Sequence, residues 1–304
     1  MESPTLHILG CGSAKPTLRH NPSCSVLKVR EALYMIDCGE GAQRAMLAQG
    51  LRFHRLNNIF LTHLHGDHIL GLPGLLSTLA MSGKEGYITV HTFAAGIRWL
   101  QEQMRFFGGT LSYELRFNEI DPRHPALIHE DKNLTVRTVP LRHRIDCVGF
   151  VFEERSKPRH IDRPACDFHK VPIAFLKNLQ SGEDFVKPDG TVVPNSWLTK
   201  DPTHSASYAH IGDTAYDPAL APLIGPVDLL YHETTYTAEH IVNAKERGHS
   251  TAAQAASMAS ECGAGRLLTG HYSSRYKDEK EILAEAKAVF PDTILGREGL
   301  VVKL

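Results

Sequence analysis

The sequence of 304 residues predicts an α+β fold in four layers, with two sheets packed face to face, helices on both outer faces, and an inserted arm. Three observations carry this. Strand-length apolar runs alternate with runs of helical spacing along most of the chain, which points to sheets covered by helices. The candidate metal ligands fall just past the ends of different strand-like runs, and stacked sheets would gather those ends along one edge. From Glu153 to Ser205 the texture changes to scattered prolines and basic residues. This marks residues 153–205 as an insertion in a single domain spanning 1–304.

The elements follow in order. Thr5 to Gly10 reads as a strand closed by the turn Gly12 to Pro16, and Ser25 to Val29 with Leu33 to Ile36 reads as a hairpin. A helix from Ala42 to Gln49 leads into a short buried strand, Asn57 to Leu61. A helix from Pro73 to Met81, a strand from Tyr87 to Thr92 and an amphipathic helix from Ala94 to Phe107, stopped by Gly108-Gly109, come next. Leu134 to Val139 is a strand running into Pro140-Leu141-Arg142-His143. Beyond the insertion, Ser207 to Gly212 and Val227 to Tyr231 read as strands, followed by a helix near Ala238 to Glu246. Ser250 or Thr251 can cap the helix Ala252 to Glu261. Arg266 to Thr269 is a strand, Glu279 to Val289 a helix, and Leu300 to Lys303 the last strand.

Hydrophobic residues make up 42% of the chain and charged ones 22%, enough for a sizeable core and too ordered a mix for disorder. A formal net charge of -1 excludes global electrostatic attraction to a polyanion, so such a partner would have to meet a local patch. The six cysteines include no C-x-x-C pair, which favours free thiols in a reducing cytoplasm over a disulfide framework. No secretory leader pattern and no apolar run near membrane length is visible, so we expect a soluble, cytoplasmic protein without a membrane partner. The 18 histidines exceed what core packing calls for.

Those histidines point to the stretch Asn57 to Gly74. Thr62-His63-Leu64-His65-Gly66-Asp67-His68 places four metal-ligand side chains in six residues, and imidazole and carboxylate are donors that zinc prefers. In an extended backbone His63 and His65 point the same way, whereas the adjacent Asp67 and His68 cannot share that face and suit a second ion. One such histidine alone would be read as part of a polar turn. The other strand ends supply the remaining donors. His63, His65 and His143 could hold one ion, Asp67, His68 and His271 another, and Asp213 could bridge the two.

These residues resemble the metallo-β-lactamase fold and, within it, ribonuclease Z, over nearly the whole chain. Thr62 to His68 resembles the superfamily motif, Leu141-Arg142-His143 with Cys147-Val148-Gly149-Phe150 its third motif, and Gly212-Asp213-Thr214 its fourth. Gly270-His271-Tyr272-Ser273-Ser274-Arg275-Tyr276 is similar to the H-x-S-x-R-Y segment of ribonuclease Z, and His249 to Ala256 to its H-S-T-A-x-Q-A run. The resemblance implies an endoribonuclease with two zinc ions per chain that removes the 3′ trailer of precursor tRNA, leaving a 3′-hydroxyl on the tRNA and a 5′-phosphate on the trailer. Other divalent transition metals also accept this ligand mix. A hydroxide activated by the two metals would attack the phosphodiester. It also implies a homodimer in which residues 153–205 form a tRNA-binding arm.

Within that chemistry Asp67 is the candidate proton acceptor and His249 the candidate general acid, with Glu233 orienting it. Arg275 offers a fork for a phosphate, Ser273 lies in the same segment, and Tyr276 could stack on a base. Two positions depart from the family pattern. The N-terminal proline-threonine loop reads Pro16-Thr17-Leu18-Arg19-His20-Asn21, with Leu18 and His20 at basic positions, and Val171 to Lys177 lacks the Gly-Pro tip of the family's arm. Two other readings stay open. One is a hydrolase of the same fold acting on a small ester, thioester or lactone, and the other a non-catalytic RNA-binding scaffold.

Overall fold

The computed structural model describes residues 3–107 and 110–304. It divides into two compact units, one made of residues up to Glu153 together with Ala206–Leu304, and one made of Glu154–Ser205.

In the larger unit one sheet runs in the order Val301–Lys303, Thr5–Gly10, Cys24–Val29, Ala32–Ile36, Leu56–Phe60, Tyr87–Thr92, Glu114–Glu119. Its first three junctions are antiparallel and its last three parallel. The second sheet runs Thr293–Leu295, Leu267–Gly270, Leu229–Glu233, Ser207–Ile211, Val148–Glu154, Leu134–Pro140, Leu127–Glu130, with its first four strands parallel to one another.

Both faces of the central strands are buried, and alternation sorts their side chains between two environments. Tyr34 and Ile36 face the cluster between the sheets, where the ring of Phe60 meets Phe150 and Phe152 edge-on at 5.5 and 5.4 Å. Leu33 and Met35, one residue out of phase, pack outward on the helix residues Met46, Leu72, Leu76 and Leu100. The helices Ala252–Glu261 and Lys280–Val289 pack together, the first of them on the second sheet. The result is the helix–sheet–sheet–helix sandwich expected from the sequence.

Four strands of the two large sheets escaped sequence reasoning. Glu114–Glu119 and Leu127–Glu130 are edge strands, so they stay half exposed and lack an apolar run. Val148–Glu154 lies in a stretch read only for its motif, and Thr293–Leu295 is three residues long. The strand expected over Val227 to Tyr231 spans Leu229–Glu233, which puts His232 and Glu233 inside it rather than past its end. The expected helix stop at Gly108-Gly109 lies outside the described residues.

The inserted unit has its own small core of Cys166, Val171, Leu179, Phe185, Val193 and Leu198. The stretch Val171 to Lys177 contains a short 3-10 turn, Ile173–Phe175, that runs into the helix Leu176–Gln180. All six cysteines are free and buried. No helix among the described residues is long and apolar enough to cross a membrane.

Of the two candidate caps, Thr251 starts the helix. Its hydroxyl accepts from the Gln254 N–H, and the Gln254 side chain accepts from the Thr251 N–H. Replacing Thr251 with Ala should therefore cost about 1 kcal/mol, read as a shift in the urea midpoint with an unchanged slope.

Candidate metal centre

The motif loop leaves its strand at Phe60 and turns into a short helix, Gly66–Ile69, that carries Asp67 and His68. Asp37, at the end of the neighbouring strand, fixes that exit. One of its carboxylate oxygens accepts from the Thr62 N–H at 2.8 Å, and the other from the Thr62 hydroxyl at 2.8 Å and from His68 Nδ1 at 2.7 Å. The two segments approach so closely that a Cβ on Gly71 would lie 2.1 Å from the Gly39 carbonyl. Only glycine fits there.

The seven predicted ligands converge. His63 Nε2 lies 3.0 Å from His65 Nδ1, which lies 3.3 Å from His143 Nε2. Asp213 Oδ2 faces this group, 3.6 Å from His63 Nε2 and 3.8 Å from His143 Nε2. The second group gathers on the other carboxylate oxygen. Asp213 Oδ1 is 3.2 Å from His271 Nε2 and 3.7 Å from His68 Nε2, and these nitrogens lie 3.6 and 3.7 Å from Asp67 Oδ2.

On His143, His68 and His271 the ring nitrogen turned away from the centre is occupied. His143 Nδ1 donates to the Gly248 carbonyl at 2.8 Å, His68 Nδ1 to Asp37, and His271 Nδ1 pairs with the Thr235 hydroxyl at 2.8 Å. Such contacts set the tautomer, leaving the opposite nitrogen as a lone-pair donor. Gly248 sits at φ 70°, and a Cβ there would come within 3.0 Å of His143 Nδ1. Its backbone conformation and its lack of a side chain both serve His143.

The donor set fits a pair of cations. His68 Nε2, His271 Nε2 and Asp213 Oδ1 are buried and without a hydrogen-bond partner. Orphaned polar atoms at this depth would each cost stability. Electrostatics point the same way. Burial works against the Asp213 carboxylate, yet His271, His68 and His63 hold it well below the usual carboxylate range. Burial, then His68, pushes His63 down toward the neutral, ligating form. At His68 burial is outweighed by Asp37, Asp213 and Asp67, which raise it to about 10.

Beside the ligands lies a second device. Glu233 is fully buried, and its Oε1 lies 3.0 Å from His249 Nδ1 and accepts from the Ser250 and Thr214 N–H groups at 2.9 and 3.2 Å. Its Oε2 accepts from the N–H and hydroxyl of Thr235 at 3.0 and 2.5 Å. Burial opposes charge on His249, but Glu233 outweighs it and raises the ring to about 9. His249 also lies within ligating reach of Asp213 and His271.

The remaining predicted residues separate. Arg275 is exposed, with its guanidinium 4.9 Å over the Tyr236 ring, and Ser273 is half-buried beside it. Tyr276 does not offer a base platform. Its ring is only 9% exposed, and its hydroxyl accepts from the Thr237 N–H at 2.8 Å, so packing and hydrogen bonding consume both of its assets. Sequence reasoning missed Asp37, Thr235 and the backbone of Ala14, whose N–H donates to Asp67 Oδ2 at 2.7 Å. Asp37 alone had a signal, as an aspartate at a strand end like Asp213. A cleft of about 860 Å³ opens beside the motif, lined by Leu64, Phe93, Arg98, Arg123 and Asp146.

The chain resembles known proteins over its whole length. A family profile described as "Anti-Pycsar protein Apyc1" matches residues 4–156, and one described as "Beta-lactamase superfamily domain" matches residues 165–272. A protein of Bacteroides fragilis named ribonuclease Z is 45% identical over 304 residues, covering all of both chains. Another of that name, from Parabacteroides distasonis, is 46% identical over 295 residues, or 97% of each chain. Among solved structures, the short form of human tRNase Z superposes with a TM-score of 0.72 at 24% identity over 98% of each chain. The Bacillus subtilis metallo-β-lactamase fold protein YhfI superposes at 0.70 with 18% identity over the whole of both chains.

Because Asp37 orients both the motif exit and His68, Asp37→Asn should weaken metal binding by roughly 10- to 100-fold. Competition against a chelator of known affinity reads this directly. Unchanged affinity would remove Asp37 from the site.

Proposed function

The chain belongs to the ribonuclease Z family of the β-lactamase superfamily, and we propose that it is the endoribonuclease that removes the 3′ trailer from precursor tRNA. On this reading the tRNA keeps a 3′-hydroxyl and the trailer leaves with a 5′-phosphate. The observation that carries it is the pair of ligand groups sharing Asp213, set beside the buried Glu233–His249 pair.

We assign two zinc ions to the centre, one held by His63, His65 and His143, the other by Asp67, His68 and His271, with Asp213 between them. Bound there, they would supply Lewis acidity, lowering the pKa of an attacking water and neutralising phosphodiester charge. The protein's own groups do the rest. Asp67, held as a carboxylate and steadied by the Ala14 N–H, takes the water's proton. As the water oxygen bonds to phosphorus, the bond from phosphorus to the tRNA 3′-oxygen breaks, and His249 gives that oxygen a proton. Glu233 holds His249 Nδ1 and favours the charged ring that this donation needs. Arg275 and Ser273 contact a phosphate near the cut.

The inserted unit 154–205 is the arm that grips the tRNA, and a homodimer would place one subunit's arm over its partner's site. Six free cysteines suit a cytoplasmic enzyme.

Trailer removal from a precursor tRNA transcript, run beside a panel of esters, thioesters and lactones, separates this reading from a small-molecule hydrolase. Ester turnover without trailer removal would contradict it, and loss of both on chelation is expected. His249→Ala should lower kcat by about 10²- to 10⁴-fold with metal content unchanged. A parallel fall in metal content would make His249 a ligand instead. Replacing residues 154–205 with a short linker should raise KM for precursor tRNA while turnover of a small phosphodiester persists.

A further inference from the structure

A second set of metal-type donors lies apart from the seven ligands. Cys11, just past the strand Thr5–Gly10, His20, at the end of the following loop, and Glu298, before the last strand, bring their side chains together. Cys11 Sγ is 3.4 Å from His20 Nδ1 and 3.5 Å from Glu298 Oε1, and His20 Nδ1 is 3.3 Å from that same oxygen and 3.0 Å from Oε2. A tetrahedral ion with bonds of about 2.3 Å to sulfur and about 2.0 to 2.1 Å to nitrogen and oxygen would hold its donors about 3.3 to 3.6 Å apart. The observed spacings come close to that without rearrangement.

The surroundings are also built. His20 Nε2 pairs with Glu279 Oε1 at 3.0 Å, which fixes the ring with Nδ1 inward, and Arg19 holds the same Glu279 oxygen at 2.6 Å. Backbone N–H groups of Cys11 and Asn21 donate to Glu298 Oε1 at 3.3 and 2.9 Å and steady the carboxylate beside the histidine. A carboxylate behind a ligating imidazole and hydrogen bonds behind a ligating carboxylate are the outer support that metal sites use. Cys11 and His20 are buried, while the Glu298 side chain is 24% exposed and gives an entry side. Cys11 is the only cysteine in any such cluster among the described residues.

We propose that Cys11, His20 and Glu298 bind a third divalent transition-metal ion of the zinc class, with the fourth position left to water. The site is structural and does not depend on the RNA-processing reading. The ion closes the loop Cys11 to His20 at both ends. That loop carries the Ala14 N–H to Asp67, and it is tied to the His271 segment by the Tyr272 N–H to Cys11 carbonyl bond of 2.8 Å and the Ser13 N–H to Tyr272 carbonyl bond of 3.1 Å. Burial and the adjacent Glu298 push the Cys11 thiol up, and Glu298, against burial and with Glu279, pushes His20 up, so loading displaces both the thiol proton and the His20 Nδ1 proton and tightens as pH rises.

A hydrogen-bonded clasp of thiol, imidazolium and two carboxylates would make the same contacts, and only a metal ion demands a thiolate. The test is cobalt(II) substitution of the full-length protein with metal content measured per chain. Wild type should show thiolate-to-cobalt charge-transfer absorption, and Cys11→Ser should lose that absorption and one ion per chain. Glu298→Gln, which keeps the thiol, should bind the ion more weakly and stands in if Cys11→Ser does not fold. Wild type without thiolate-to-cobalt absorption, or equal metal content in wild type and a folded Cys11→Ser, would overturn the site and leave the clasp. Neither readout uses RNA cleavage, so failure here is distinct from failure of the functional reading.

Discussion

The structure turns on one carboxylate. Asp213, 3% exposed, presents one oxygen to His63 and His143 and the other to His68 and His271. Asp37, Asp67 and Glu233 add three more carboxyl groups within the same small volume. Burying an ionised carboxylate without compensation costs several kcal/mol even after relaxation. The imidazoles offset part of that cost, and the orphaned nitrogens of His68 and His271 mark where cations would offset the rest. The sandwich supplies the setting, because parallel strands in both sheets bring their carboxyl ends to one edge.

Around that carboxylate, four of the candidate ligands are each held by a group outside the proposed donor set. Asp37 holds His68, Thr235 holds His271, the Gly248 carbonyl holds His143, and the Ala14 N–H holds Asp67. Glu233 ties these together, since its two oxygens engage His249 on one side and Thr235 on the other. The proposed acid and a ligand histidine are therefore positioned through one buried side chain. A change at any of these outer residues reaches the centre through a single hydrogen bond.

Much of this was legible in the sequence because the ligands are short-range signals. His63 to His68 share one loop, and His143, Asp213 and His271 each follow a recognisable apolar run. The outer residues were less legible, since Thr235 and Ala14 act through a hydroxyl and a backbone N–H that carry no residue-type signature. Tyr276 was misread for a related reason. Its identity suggested stacking, but whether a tyrosine faces solvent or the Thr237 backbone depends on packing that spacing does not encode. The edge strands Glu114–Glu119 and Leu127–Glu130 escaped because one partner and half exposure leave them polar.

The central claim is that two groups of donors sharing Asp213 hold two ions. Anomalous diffraction at the zinc edge, from crystals of the full chain grown with zinc, tests it most directly. Two peaks should flank the Asp213 carboxylate, one among His63, His65 and His143 and one among Asp67, His68 and His271. A single peak there, or none, would contradict it.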